Sequence, residues 1–481
     1  MPGVSSTHRD YDKFAPKWKR CRDCVAGQDA IHKASIAYLP KLKDETEEDY
    51  SARLKRSDFW NGTWRTIAGL GGMAFRKPPT VDAPAAIEPY LEDVNMAGVS
   101  MGALAMETLD EVLSVGRIFI LVDHPPQNEN VTPLTVDAAA RQGLRPMIQL
   151  YPAESLINWK FGRVANAWVL TKAVLKECVA VPKDEYEDEY EDRYRVLDLD
   201  PAGFYRQRLF RKDKKQKDEQ IGGDIYPLMN GKKLAYIPGA ITGADGRGDQ
   251  IDEPPLIDLV DANLALYGLN ADYRHGLHFT GLPTAVVSGY QPENATEKLY
   301  IGSPTAWVFP APEAKASYLE FTGQGLEPLA NAIKEKKLEM ALLGARMIAD
   351  ESKQAETLGA TQIKRQGENS ILARIVQATS EALEWALGIF AEWAGQKGDV
   401  TYQINRDFLP TGMDAQQLTA LLGAVQAGEL SSQSFFDLLQ RGDLIKPEVT
   451  YDEERTRIDA QGPPAPAVPA KTPPPDAAAA A

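Results

Sequence analysis

Apolar residues recur at helical spacing from about Tyr11 to Pro79, first through YDKFAPKWKRCRDCVAGQDAI and then through DETEEDYSARLKRSDFWNGTWRTIAGLGGMAF. The acidic opening of the second stretch suits a helix N-terminus, where the macrodipole favours carboxylates. Pro78 and Pro79 end the block, because proline lacks the backbone donor and restricts the residue before it. A second helical pattern covers about Ile87 to Val115 and stops at Gly116. RIFILVDHP follows, a β-branched and aromatic run that reads as a buried strand.

Between about Gln149 and Lys212 the period shortens to two. LINWKF, NAWVLTKAVLKECVAV and RVLDLDPAGFYRQRLF alternate apolar and polar positions around turn residues, with Asp200-Pro201-Ala202-Gly203 placed for a tight turn, so the strands form an antiparallel sheet. PGAITGADGRGD, Pro238 to Asp249, reads as a glycine-rich loop that closes the first large unit. Beyond Pro254 and Pro255 the pattern is helical through LIDLVDANLALYGLNADYRHGLHF and breaks at Gly281 and Pro283 into short strands, TAVVSGY, SPTAWVFP and ASYLEF. A long helix then starts near Gly325, LEPLANAIKEKKLEMALLGARMIADE, roughly 40 Å at the usual rise per residue. The polar stretch DESKQAETLGATQIKRQG, the helix NSILARIVQATSEALEWALGIFAEWAG, a strand-like TYQINRDF and the helical pair DAQQLTALLGAVQAG and SSQSFFDLLQRG complete the order. The end, QGPPAPAVPAKTPPPDAAAAA, has almost nothing to bury and is expected to be disordered. No internal repeat is visible. The chain is of the α+β class.

The sequence is 43% hydrophobic and 25% charged over 481 residues, which is globular composition. No run of about 18 apolar residues occurs, and the opening MPGVSSTHRDYDKF is charged where a signal peptide needs an apolar stretch, so a cytoplasmic, non-membrane protein is expected. Three cysteines are too few for a disulfide framework. A net charge of −15 repels nucleic acid on average, so any DNA contact must be local or weak. Basic residues concentrate at Arg206, Arg208, Arg211, Lys212, Lys214, Lys215 and Lys217, shortly after the acidic run Asp184 to Asp192, and the two read as solvated hairpin ends.

Motifs with chemistry fail on context. Gly69, Gly71 and Ala74 match the dinucleotide fingerprint G-x-G-x-x-A, but a helical pattern precedes them where a strand is required; small residues for close helix packing explain them better. Cys21 and Cys24 form a lone C-x-x-C that His8 and His32 do not complete into a zinc site. His275 and His278 lack the glutamate of H-E-x-x-H and a third ligand, which leaves two packed histidines. His124 beside Asp123 has no nucleophile elbow. Walker A is absent, and without secretion the triplets at Asn61, Asn130 and Asn294 and the RGD at Arg441 to Asp443 are coincidences. No metal or cofactor is expected.

The order of elements is the informative feature. The phrases YLPKLKDETEEDYSARLKRSDFWNGTWRTIAGLGGMAFRKPP, Tyr38 to Pro79, and EPPLIDLVDANLALYGLNADYRHGLHFTGLPTAVVSG, Glu253 to Gly289, resemble a tailed-bacteriophage portal subfamily that carries an uncharacterised-domain name, over nearly the whole chain. The resemblance implies an N-terminal wing of helices and antiparallel sheet (1–252), a stem helix (253–281), a β clip (282–324), a second stem helix (325–350), a tunnel loop (351–367), a wing helix and strand (368–411), a small helical crown (412–446) and a C-terminal tail (447–481, disordered from about 462). It implies a non-enzymatic subunit of a cyclic homo-oligomer, typically of twelve, at one capsid vertex of the virion. Such a ring conducts double-stranded DNA by weak, non-specific contact and meets the terminase large subunit, major capsid and scaffold proteins and a head-tail adaptor. Lys353, Lys364 and Arg365 would then face DNA from the tunnel loop, or else belong to a solvated helix end. Trp307, Phe309 and Tyr318 would form the clip's partner surface, or else pack within the insertion. The alternatives are another head-tail connector of the virion, or a cytoplasmic metal-dependent hydrolase built on the Asp184 to Asp192 run, which lacks the glycine turn and ligand spacing of an EF-hand.

Overall fold

The first helical pattern becomes α1 (Arg9–Ala26), α2 (Gln28–Ala34), α3 (Glu47–Arg56) and α4 (Gly62–Ala74). These belong to a computed structural model that describes residues 3–125, 143–213, 217–281, 284–288, 313, 315–319, 323–347, 370–396, 398–408, 421–425, 429–441, 445 and 449–461. First-turn amides are satisfied by local side chains: Thr46 Oγ1 accepts from Asp49 N at 3.1 Å, and Asn61 Oδ1 from Trp64 N at 2.9 Å. Asn61 is therefore a helix cap, and Gly69, Gly71 and Ala74 lie within α4, away from any strand-to-helix turn.

A short strand, β1 (Thr80–Asp82), precedes the first departure from expectation. The helix expected from Ile87 begins only at Met101, as α5 (Met101–Val115), preceded by a 3-10 turn at Glu88–Tyr90. The reason is side-chain competition for the backbone. Asn95 Oδ1 accepts from Ala97 N and Val99 N, Asp93 Oδ1 accepts from Gly98 N, and Met96 and Gly98 adopt positive φ. The C-terminus is as expected, with Gly116 left-handed at φ 75°.

Next come β2 (Arg117–Asp123), buried along its length, and β3 (Met147–Pro152). The period-two region forms β4 (Leu156–Val164), β5 (Ala167–Pro182), β6 (Asp188–Leu199), β7 (Tyr205–Lys212) and β8 (Asp218–Ile225), an antiparallel meander in chain order. The β6–β7 turn is the one expected: Asp200 Oδ1 accepts from Ala202 N and Phe204 N, and Gly203 has φ 86°.

After a small hairpin, β9 (Leu228–Met229) and β10 (Lys232–Lys233), the segment expected to be a loop, Pro238 to Asp249, instead supplies β11 (Gly239–Gly243) and β12 (Gly246–Arg247). These complete a sheet of order β12-β11-β2-β3. Its glycines serve close packing: a Cβ on Gly239 would stand 2.5 Å from Phe119 Cζ, and one on Gly243 would stand 2.1 Å from Asp252 Oδ2.

The chain continues as α6 (Ile257–Gly281), β13 (Thr284–Ser288), β14 (Lys315–Leu319), α7 (Leu326–Arg346), α8 (Ile371–Trp393) and β15 (Thr401–Gln403), which pairs antiparallel with β1. Over its 21 residues α7 spans about 32 Å. Helix α8 is the centre of the core, packing on α5, β2, β11, β12 and β15. The chain separates into two units, Met1–Phe408 and Leu409–Ala481. In the second, α9 (Ser432–Arg441) is followed by α10 (Tyr451–Gln461), a helix inside the expected tail. Its start is a reciprocal cap, with Glu453 N donating to Thr450 Oγ1 and Thr450 N to Glu453 Oε2. Residues 462–481 lie outside the described residues. Among the described residues no helix is long and apolar enough to cross a membrane.

Two stability tests follow. Gly239→Ala drives a methyl into the buried Phe119 ring and is expected to cost about 1–3 kcal/mol in denaturant unfolding. Gly248→Ala, with nothing within 4 Å, is expected to be neutral, and equal stability of the two variants would contradict this packing. Asp110 on α5 is pushed up to about 6 by burial, with Glu111 and Glu107 adding to the effect. A carboxyl raised on folding stabilises fully only below its unfolded value near 4, and that contribution is lost as pH rises through about 6. Asp110→Asn should therefore raise the thermal midpoint at pH 7.5 and give no gain at pH 4; the same increment at both values would contradict it.

Candidate functional site

The succession α6, β13–β14 hairpin, α7 and α8 is held together at identifiable points. A Cβ on Gly276, near the end of α6, would stand 2.7 Å from Leu326 Cδ2, at the start of α7. Near the other end, Asn263 of α6 and Met340 of α7 both meet Gly62, so α7 runs back along α6. Asn263 is fully buried there and joins the hairpin to the start of α4. Its Oδ1 accepts from Gly62 N at 3.1 Å, Thr63 N at 3.0 Å and Thr63 Oγ1 at 3.0 Å, while its Nδ2 donates to Trp60 O at 2.8 Å.

At the far end of the two helices β13 and β14 pair antiparallel, Thr284 opposite Leu319 and Ser288 opposite Lys315. Tyr318 stands in β14 opposite Ala285, whereas Trp307 and Phe309 lie outside the described residues. At the near end Leu372 N donates to Met347 O at 2.8 Å, and Ser370 Oγ caps α8 by accepting from Ala373 N at 3.1 Å. The described residues that flank 348–369 are thus held together by one backbone bond. Lys353, Lys364 and Arg365 belong to that segment, outside the described residues.

Other candidate residues take structural places. Cys21 and Cys24 are buried in α1, and burial pushes the Cys21 thiol up to about 12. His275 and His278 both meet Phe279 edge-on, at 4.8 and 5.5 Å between ring centres. The acidic run divides between a turn, where Asp184 Oδ1 accepts from Tyr186 N and Glu187 N, and the start of β6. Among the described residues no group of three or more His, Cys, Asp or Glu is placed to hold a metal. Of the basic run, the described arginines and Lys212 are paired within the sheet: Arg206 with Asp198 and Asp224, Arg208 with Asp198, Arg211 with Glu219, and Lys212 with Asp218.

Two buried clusters were not anticipated. Asp123, at the inner end of β2, accepts from His124 N at 2.9 Å and Gln207 Nε2 at 2.7 Å. Gln207 Oε1 accepts from Arg195 at 2.9 Å, Arg195 pairs with Glu177 at 2.6 Å, and Tyr151 OH donates to Glu177 at 2.9 Å. Burial raises the Asp123 carboxyl and lowers the His124 imidazole, whose ring stacks on Trp393. At the other end of β2, Arg117 lies 3.9 Å over the Trp159 ring, whose stacking partner is His8 at 4.1 Å. Its three guanidinium nitrogens find no acceptor among the described residues, and burial pushes it down to about 9. A polar residue closing the apolar run RIFILVD was the sequence signal for the first cluster; nothing in the sequence marked the second.

Comparison with known proteins adds the following. A family model described as a domain of unknown function (DUF4055) matches residues 255–394, from just before α6 to just after α8. No curated protein matches the sequence. Among solved structures, a chain of the virion of a native gene transfer agent particle is similar at 13% identity and a TM-score of 0.39, covering 85% of this chain and 98% of that one. A chain from the neck of the native particle, computed with C12 symmetry, is similar at 13% identity and a TM-score of 0.38, with 82% and 94% covered.

Proposed function

We propose that this chain is a portal subunit, a ring component of a phage head that conducts double-stranded DNA without hydrolysing anything. The observation that carries the reading is the succession α6, β13–β14 hairpin, α7, pinned loop and α8, together with the two long phrases at Tyr38 to Pro79 and Glu253 to Gly289 that resemble a portal subfamily. In that reading α6 and α7 are the stem, the segment from 282 to 324 is the clip, and 351–367 is the tunnel loop. Trp307, Phe309 and Tyr318 serve the clip's contact with terminase and, later, a head-tail adaptor. Coat and scaffold proteins meet the wing during assembly.

The electrostatics fit a conduit. A wall that bound phosphates tightly would release counterions and hold the DNA in place, whereas a net charge of −15 limits binding to local cations. Lys353, Lys364 and Arg365, repeated around a ring, supply a transient grip without reading sequence. A head-to-tail contact closes into such a ring when its rotation divides a full turn, and twelve is the number expected within the particle.

Electron microscopy with mass measurement on the purified full-length protein is expected to give rings with a central channel and about a dozen copies; a monomer under all assembly conditions would remove the proposal. Replacing Lys353, Lys364 and Arg365 by alanine should leave ring assembly intact while lowering packaged or retained DNA. Normal particle yield and genome content in that variant would remove the loop from the DNA path.

A further inference from the structure

Helix α7 carries an apolar face that stands exposed among the described residues of the first unit. Leu338 and Leu342 are 63% and 55% exposed, far more than leucines of a core-facing helix, and Ala341 and Ala345 lie exposed beside them. The exposed positions Asn331, Lys334, Leu338, Ala341 and Ala345 follow one another at spacings of three and four residues, a single seam along the helix. Buried Ile333 and Met340 mark the opposite side. Lys334 lies on the seam before the leucines and Arg346 beside its end; both are exposed with no carboxylate partner among the described residues, while the exposed acids of that flank are Glu335 and Glu339, the latter paired with Lys336.

Helix α6 carries the complement. Asp258, Asp261, Ala265, Gly268 and Asp272 follow the same three-and-four spacing on the face turned away from buried Leu259, Val260, Asn263, Leu266 and Tyr267. This seam is small at its middle and acidic at its ends, and among the described residues only Asp261 of its acids is drawn into a pair, with Arg20 at 3.1 Å. One helix thus offers protruding leucines between cations, the other small residues between carboxylates.

We infer that the α7 seam of one copy packs against the α6 seam of a second copy, and that this heterologous contact is an interface of the ring. The inference rests on the portal reading. A rotation about an axis parallel to the helices preserves height, so the neighbour's α6 meets α7 in the register the hairpin already displays, with Gly276 level with Leu326. Counting along the antiparallel helices from that point brings Asp272 within about a turn of Lys334 and Asp258 within about a turn of Arg346. Leu338 and Leu342 then face Ala265 and Asp261, where short side chains leave room.

The geometry makes an unusual prediction about mixtures. One full-length variant carries Asp258→Lys and Asp272→Lys; another carries Lys334→Glu and Arg346→Glu. Each alone sets like charges across every contact and is expected to lose rings by mass measurement while keeping the wild-type circular dichroism spectrum. Mixed in equal amounts they restore opposite charges at both kinds of contact, so rings of alternating variants should return, with an even number of copies. Leu338→Asp, which leaves both sets of charges in place, should also lose rings. Wild-type rings together with unchanged rings in each variant would overturn the interface while leaving the portal reading intact, as would folded variants that fail to assemble when mixed. A wild-type chain that never forms rings would overturn both.

Discussion

A helix with a broad apolar face needs cover from more than one element, and α8 imposes that condition on the first unit. Leu372, Ile375, Val376, Leu383, Leu387, Ile389 and Phe390 are all buried on one broad face, opposite an exposed stripe of Arg374, Gln377, Glu381 and Glu392. The enclosure is assembled from pieces remote in sequence: α5, strands β2, β11 and β12, and β15, which is itself held by β1. Even the polar positions of α8 are used inward. Ser380 Oγ accepts from Ile404 N and Glu384 from Tyr402 N, so the chain leaving the helix is bonded back onto it.

That centre gives the neighbouring elements fixed points of attachment. The described residues on either side of 348–369 are bonded to each other, Leu372 N to Met347 O, at the first turn of α8. The α6–α7 hairpin is secured at its near end by Asn263, which satisfies four groups around the start of α4. Loss of that side chain would take the acceptor from the buried Thr63 amide and hydroxyl, a cost of about 1–3 kcal/mol for each orphaned group. The buried ions of the sheets obey the same logic: Arg195 and Glu177 are tolerable inside because Gln207 and Tyr151 complete their hydrogen bonds.

Local patterns legible in the sequence were those enforced by local physics. The left-handed Gly116, the Asp200 turn, the helical spacing of α6, α7 and α8 and the antiparallel alternation from β4 to β7 each follow from residues a few positions apart. The misreadings have the opposite character. Gly239 and Gly243 look like loop residues until Phe119 and Asp252, distant in sequence, are seen to occupy the space their side chains would need. The stretch from Ile87 to Ser100 has helical apolar spacing, yet Asp93 and Asn95 divert its backbone. Helix α10 was hidden by the proline-rich composition that follows it, although Thr450 and Glu453 spell its cap. As for the site, the sequence indicated the hairpin and the segment between α7 and α8, but the seams of α6 and α7 become visible only when burial is assigned to each face.

The same distinction decides what the charges mean. In sequence, Arg206, Arg208, Arg211 and Lys212 look like the best phosphate-binding patch of an acidic chain. In the sheet each faces a carboxylate on a neighbouring strand, Asp198, Asp224, Glu219 or Asp218, so the field they project is largely cancelled. Lys334 and Arg346 differ, since they flank exposed leucines and have no acid of their own among the described residues. Cations beside an apolar seam suit a partner surface that is acidic and close-fitting, and α6 presents one. Phosphate binding would satisfy the charges and leave Leu338 and Leu342 in water, whereas a second copy would satisfy both, which is why the proposed ring assigns these cations to assembly and not to DNA.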